Sequence, residues 1–293
     1  MLFRFPLQDI DVQLTASKKQ VENPGYTTDY VRLNQHEFTL DIAGVGWFYA
    51  RSGNHVAVIP DENATTSTID LYLNGSVYGA ILHQRKTLPL HGSCFRYQGL
   101  GIMLCGESGA GKSSLTTSFC LQGADFLTDD VTPIVFQNGK PHIWGISDRV
   151  KLWSDSLQQL NQTEVGLERI MPAREKFYFP MTSNTETLVP LDLIIILHVY
   201  DQPDLMIEPL TGIPGFTALR NEIFRREYLQ GMPGSETAYL SQLIAIGQAV
   251  QVINVYRPED IAIEQFRAEL AQLIDPLLLG RPVLASLAEP QLQ

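Results

Sequence analysis

A chain of 293 residues with 44% hydrophobic and 18% charged side chains can bury a core of one large domain or two modest ones. Its net charge of −11 and its lack of a Lys/Arg cluster argue against nucleic acid or an anionic membrane as the partner. No apolar window is long enough to span a bilayer, and the opening MLFRFPLQDIDVQ reads as no signal peptide. The three cysteines (Cys94, Cys105, Cys120) suit a reducing cytoplasm and form no zinc-type Cys-x-x-Cys.

In chain order, residues 1–25 carry little pattern. From 37 to 85 the text is strand-like and broken by Gly, Pro and Asn, with Asn74-Gly75 as a turn signal; the second half of TIDLYLNGSVYGAILHQRKT reads equally as a helix. These residues predict a small β-rich N-terminal region, 1–85. Residues 86–285 then predict one catalytic domain, an α/β (α+β) mixed sheet flanked by helices, and 286–293 a loose tail. Within that domain, HGSCFRY and GIMLC form a β-pair around Gln98-Gly99. A helix follows from Lys112 to about Gln122, ended by Gly123. VTPIVF and PHIWGI are strands about the Asn138-Gly139 turn. LVPLDLIIILHVYD is too apolar for a sheet edge and reads as a central strand. Residues 214–230, 236–249 and 259–278 read as helices, the first with a Phe216, Leu219, Ile223, Tyr228 stripe.

The chemistry concentrates between strand and helix. Gly106-Glu107-Ser108-Gly109-Ala110-Gly111-Lys112-Ser113 spells G-x-x-x-x-G-K-[ST], and Ser114 continues it into the helix. Glycines let successive N–H groups converge on an anion, and the helix start adds its positive end. Lys112 reaches the β- and γ-phosphates, and the Ser113 hydroxyl ligates Mg²⁺. Asp129-Asp130 stands 17–18 residues beyond Lys112, after the helix. In an extended segment the two carboxylates would point to opposite sides, one toward a metal and one toward an incoming hydroxyl. Solvated turn acids are the plain alternative. His91, fifteen residues before the loop, is a further candidate.

Leu90-His91-Gly92, the loop Gly106 to Ser113, and Asp129-Asp130, at these intervals, resemble the HPr kinase/phosphorylase family. The nearer likeness is to its stand-alone serine kinases, such as those of lasso-peptide maturation. The resemblance is firm over roughly 88–135, looser over 140–230 and weak at the N-terminus. It implies a P-loop catalytic domain of the HPr-kinase/PEP-carboxykinase type, and ATP and Mg²⁺ as cofactors. It implies Asp130, or Asp129, as the base toward the substrate hydroxyl, with His91 orienting it. It further implies Lys112 on phosphate, Ser113 on Mg²⁺, and a homo-oligomer. The family's Glu-x-x-Gly-like signature is missing: His142-Ile143-Trp144-Gly145 lacks the Glu. Arg149-Val150-Lys151-Leu152-Trp153 instead is similar to the Arg-x-Lys-Leu-Trp of the lasso-type relatives. That departure leaves Asp129 as the acidic metal ligand and leaves the phosphorylase reaction unsupported.

Cations are candidates for the phosphoryl group or the substrate: Arg149 and Lys151 on one strand face, then Lys176, and Arg220, Arg225 and Arg226 on the LRNEIFRREYL helix. The expected activity is that of a cytoplasmic phosphotransferase, an ATP- and Mg²⁺-dependent kinase acting on a serine of a protein or peptide. A small-molecule hydroxyl kinase, a nucleotide-binding regulator without transfer, and an ATPase using Asp201 stand as alternatives. The loop does not touch the base, so ATP and GTP are not distinguished.

Overall fold

The computed structural model describes residues 3–171, 174–182 and 187–278. The expected loose tail, 286–293, lies outside the described residues.

Six short strands come first: β1 (Val12–Leu14), β2 (Tyr26–Thr27), β3 (Val31–Leu33), β4 (Glu37–Ile42), β5 (Gly46–Arg51) and β6 (His55–Pro60). They form one sheet in the order β1-β6-β5-β4-β3-β2, antiparallel except for β1 on β6. The strand-like reading of 37–85 holds to Pro60 and fails at Thr66–Tyr72, while the helical alternative for the end of TIDLYLNGSVYGAILHQRKT is the one adopted. α1 (Thr66–Tyr72) and α2 (Tyr78–Gln84) are helices joined through a π-helical turn, Leu73–Val77. Asn74-Gly75 therefore makes no hairpin. The Asn74 amide donates to Asp70 O (2.6 Å) and Arg4 O (3.0 Å), so its side chain serves the widened turn. Buried Ile69, Leu73, Val77 and Ile81 recur at helical spacing and pack on Phe38, Leu40, Phe48 and Val58 of the sheet.

The second half holds β7 (Leu88–His91), β8 (Ser93–Tyr97), β9 (Leu100–Gly106), α3 (Lys112–Leu121), β10 (Asp125–Thr128), β11 (Val131–Gln137), β12 (Lys140–Gly145), β13 (Arg149–Trp153) and α4 (Ser154–Gln159). It continues with β14 (Glu168–Met171), β15 (Arg174–Pro180), β16 (Thr187–Pro190), β17 (Leu193–Tyr200), β18 (Met206–Pro209), α5 (Gly212–Asn221), α6 (Pro233–Ala249), β19 (Gln251–Pro258) and α7 (Ile263–Leu278). The main sheet is mixed, in the order β10-β8-β9-β17-β19-β18, with β9, β17 and β19 parallel. A four-stranded sheet, β16-β12-β11-β7, and a three-stranded one, β13-β15-β14, complete it. Gln98 (φ 48°) and Gly99 (φ 92°) turn β8 into β9, and Asn138 (φ 51°) and Gly139 (φ 76°) turn β11 into β12, as expected of paired positive φ in two-residue loops.

β17 is central, and its composition follows from having two dry faces. Leu193, Ile195 and Leu197 join Leu115, Phe119, Phe266 and Leu270 beneath α3 and α7. Ile194 and Ile196 face the other way, onto Leu219, Tyr239 and Leu243 of α5 and α6 and Ile134 and Ile143 of the smaller sheet. The run LVPLDLIIILHVYD is nonetheless two strands in two sheets, parted at Pro190. Residues 214–230 are likewise broken: α5 stops at Asn221, Arg225 takes φ 52°, and a 3₁₀ turn spans Arg226–Gly231. β18 and β19 were not anticipated. No helix of the described residues is long and apolar enough to cross a membrane.

Candidate active site

β9 ends at Gly106, where φ is 122° and an added Cβ would sit 2.3 Å from Leu197 O on β17, so only glycine allows the chain to leave the sheet here. The loop closes on Gly111 (φ 101°), which begins α3. Lys112, nearly buried, folds its ammonium back to donate to Gly106 O (2.6 Å) and Glu107 O (3.1 Å). Ser108, Gly109, Gly111, Lys112, Ser113 and Ser114 line a cavity of about 570 Å³, whereas Glu107 stands exposed and Ala110 is buried beneath the loop.

Both aspartates line that same cavity. The expectation that they point to opposite sides fails, because the segment is not extended. Val131 N–H donates to Asp129 O (2.9 Å) and Asp130 takes φ 73°, a γ-turn of the rare positive-φ kind. Such a backbone costs about 1–3 kcal/mol and persists where surrounding contacts enforce it. Those contacts are specific. Asp129 Oδ1 accepts from Ser113 Oγ (2.8 Å), and its Oδ2 accepts from the Lys151 backbone N–H (3.1 Å). Asp130 Oδ2 accepts from Lys151 Nζ (2.6 Å), and its Oδ1 lies 3.6 Å from His91 Nε2. β7, α3, the β10–β11 turn and β13 thus converge, bringing together His91, Lys112, Ser113, Asp129, Asp130 and Lys151.

Electrostatics sets their protonation. Burial pushes the Asp130 carboxyl up, but the Lys151 ammonium, then His91, outweigh it and hold it far below the usual carboxylate range. Lys151 is itself raised: burial works against its charge, and Asp130 prevails. Burial, reinforced by Lys112, lowers His91 despite Asp130, so the imidazole is neutral at pH 7. Burial also lowers Lys176, which lines the cavity and lies 5.2 Å over the Trp153 ring.

The cation candidates do not all reach this cavity, and one rival site drops out. Arg149 shares a strand face with Lys151 but does not line this cavity; its guanidinium lies 3.8 Å over the Tyr178 ring, near Asp70 and Glu168. Arg220 pairs with Glu236 (2.6 Å) at the surface and Arg226 bonds Asn221, both away from the loop. Arg225 pairs with Glu227 and bonds Ser76. Asp201 is exposed beyond β17 and lines neither the cavity nor the loop. Two residues went unnoticed in the sequence. Arg257, at the end of β19, lines the cavity and donates to Ala110 O (2.9 Å) and Gly109 O (3.5 Å), clamping the loop from behind. Glu222 accepts from Gly106 N–H (3.2 Å) through its carboxylate and from His91 N–H (2.7 Å) through its carbonyl, and burial raises its pKa. The VINVY run before Arg257 carried a strand signal; Glu222 carried none.

The donor set has a definite chemistry. Among the described residues no three His, Cys, Asp or Glu side chains converge as a metal cage. A hydroxyl and one carboxylate oxygen 2.8 Å apart, beside the glycine-rich loop, instead fit Mg²⁺, which takes one or two protein oxygens and completes its shell with phosphate and water.

No protein-family model matches the chain. Its sequence is 27% identical over 151 residues to a protein of Oceanobacillus iheyensis named "Putative HPr kinase/phosphorylase 2", covering 50% of this chain and 45% of that protein. Over that stretch the chain is similar to a protein named as an HPr kinase/phosphorylase. The chain spans less than half the length of that curated relative. Among solved structures, the Hpr(Ser) kinase/phosphatase from Coxiella burnetii aligns at a TM-score of 0.37 and 11% identity, over 66% of this chain and 91% of the other.

Proposed function

We propose that the protein is an ATP- and Mg²⁺-dependent kinase that transfers the γ-phosphoryl group to a hydroxyl, a serine of a protein or peptide. The observation that carries this reading is the division of labour between two adjacent carboxylates on one cavity: Asp129 on the Ser113 hydroxyl, Asp130 on Lys151 and His91. An ATPase needs only a water beside the phosphate, whereas a half-buried acid–imidazole–ammonium cluster suits a placed hydroxyl.

The loop N–H groups and Lys112 hold the phosphates, and Ser113 and Asp129 hold the metal. Bound there, Mg²⁺ neutralises charge on the phosphate oxygens and fixes their orientation. Asp130 receives the acceptor's proton as the acceptor oxygen bonds to the γ-phosphorus and the β,γ-bridging P–O bond breaks, leaving ADP. Paired with Lys151, Asp130 is a weak base. When the Lys151 ammonium turns toward the phosphoryl oxygens, its hold on Asp130 relaxes and basicity returns as charge develops. Lys176 adds a second cation, and neutral His91 keeps Asp130 oriented.

Incubation with γ-labelled ATP, Mg²⁺ and serine-containing peptide pools tests this. Wild type should label an acceptor, while Asp130→Asn should bind ATP normally and label none. Transfer undiminished in Asp130→Asn would remove Asp130 from the mechanism, and ATP binding without turnover in the wild type would favour a regulator.

A further inference from the structure

A second cavity, of about 660 Å³, lies across the acid pair from the first, and Asp129 and Lys151 line both. Its outer wall comes from the N-terminal half: Phe3, Arg4, Phe5 and Tyr78. That wall is built, since Arg4 N–H donates to Asp70 Oδ1 (3.2 Å) on α1 and the Asn74 amide holds Arg4 O. The inner wall is Trp144 of β12, Arg149 of β13 and Tyr178 of β15.

Arg149 is the unusual residue of this wall. Its side chain is 13% exposed, yet its ion pairs with Asp70 (3.9 Å) and Glu168 (3.7 Å) are longer than hydrogen bonds. Among the described residues none of its guanidinium N–H groups makes a hydrogen bond, although the fork carries five donors. Beneath it the Tyr178 hydroxyl is buried without a partner, and so is the Tyr78 hydroxyl of the opposite wall. Buried donors left unused in a cavity wall mark a place where a ligand supplies the acceptor oxygens.

We infer that this second cavity receives the phosphate acceptor, and that Arg149 with Tyr178 binds a carboxylate that the acceptor carries near its hydroxyl. This rests on the kinase reading above. A planar fork stacked on an aromatic ring matches a carboxylate's two oxygens. Arg4 and Arg85 are matched by Asp148 and Asp9, and Lys151 by Asp130, which leaves the Arg149 fork as the group with unused donors. With Asp70 and Glu168 beside that fork, a monoanion is accommodated more readily than a phosphate dianion. Arg149 and Lys151 are two residues apart on one strand, with Cα atoms roughly 7 Å apart, so an anion on Arg149 and a hydroxyl near Lys151 can belong to one acceptor. An acidic residue beside the serine of a peptide is one such acceptor, and a small hydroxy acid is the other class the probes include.

The test is calorimetric, on the full chain saturated with a non-hydrolysable ATP analogue and Mg²⁺. The probes are end-blocked peptides with one serine flanked by glutamate, their glutamine twins, and L-malate and D-glycerate. The glutamate peptide should bind at least tenfold more tightly than its twin. Arg149→Gln should erase that difference while the analogue's Kd stays within twofold. Tyr178→Phe, which removes only a hydroxyl, should weaken the glutamate peptide several-fold and keeps the test open if Arg149→Gln folds poorly. Tighter binding of malate or glycerate than of the peptide, lost in the same variants, assigns the site to a small hydroxy acid with the chemistry unchanged. Binding without carboxylate preference, or no binding by any probe while the analogue binds, overturns the inference alone; failure of the analogue to bind the wild type sinks the kinase reading instead.

Discussion

Replacing Lys151 by Met isolates the contact on which the site's electrostatics rest. Lys151 Nζ lies 2.6 Å from Asp130 Oδ2, with side-chain exposures of 15% and 31%. Removing one partner of a well-buried pair costs about 3–5 kcal/mol, because the other charge stays desolvated and unmatched. Here water reaches part of Asp130, and Lys176 still acts on it, so the expected loss is about 2–3 kcal/mol. Urea unfolding at pH 7 measures it. Lys151→Met/Asp130→Asn should recover at least half the loss, since no stranded carboxylate remains. The pH dependence supplies a second reading. The folded-state pKa of Asp130 is depressed, so its stabilisation is complete above the unfolded value near 4 and drains as pH falls below that, at about 1.4 kcal/mol per pH unit. Below pH 4 the Lys151→Met curve should be flatter than that of wild type by most of this slope. A Lys151→Met loss under about 0.5 kcal/mol, or one just as large in the double variant, would refute the reasoning.

Three further outcomes follow from other contacts. Arg257→Ala frees the loop carbonyls of Gly109 and Ala110 and should weaken nucleotide binding about tenfold, worth roughly 1.4 kcal/mol, by calorimetry, with little change in unfolding temperature. Gly106→Ala forces a Cβ against Leu197 O at a φ of 122° and should cost roughly 3 kcal/mol or more in urea unfolding, along with nucleotide binding. Burial pushes the pKa of His83 down to about 4 while its ring contacts Tyr239 Oη (3.0 Å) and Phe224 O (2.9 Å). Its stabilisation is therefore whole above pH 6.5 and lost as pH falls toward 4, on the order of 3 kcal/mol, and His83→Gln should flatten stability over that window.

The phosphate-type loop was legible because its chemistry is local: glycine spacing, the lysine and the hydroxyl are contiguous, and strand and helix flank them. β17 was legible because two dry faces demand an unbroken apolar run, and the two-residue turns were legible from Asn-Gly and Gln-Gly. The helix α1 was obscured by Asn74-Gly75, whose turn propensity yields to a helix packed on a sheet, while α2 stood in the sequence as one of two equal readings. The γ-turn at Asp130 was not legible, because Asp-Asp-Val admits an extended path equally well and only Ser113, Lys151 and His91 select the bent one. Arg149 and Lys151 looked equivalent by alternation. Lys151 reaches both cavities and Arg149 only the second, where Asp70 of α1 stands beside it and residues 3–9 form the facing wall, all distant in sequence. Glu222 and Arg257 act through backbone groups of the loop, and such contacts leave no pattern.

The division of labour between the two acids meets its sharpest trial in Mn²⁺ binding to the ATP-loaded protein, followed by electron paramagnetic resonance in Asp129→Asn and Asp130→Asn side by side. Asp129→Asn should weaken Mn²⁺ binding by tenfold or more while Asp130→Asn leaves it within twofold of wild type. Equal effects of the two substitutions, or a larger one at Asp130, would contradict the assignment of metal to one carboxylate and proton to the other.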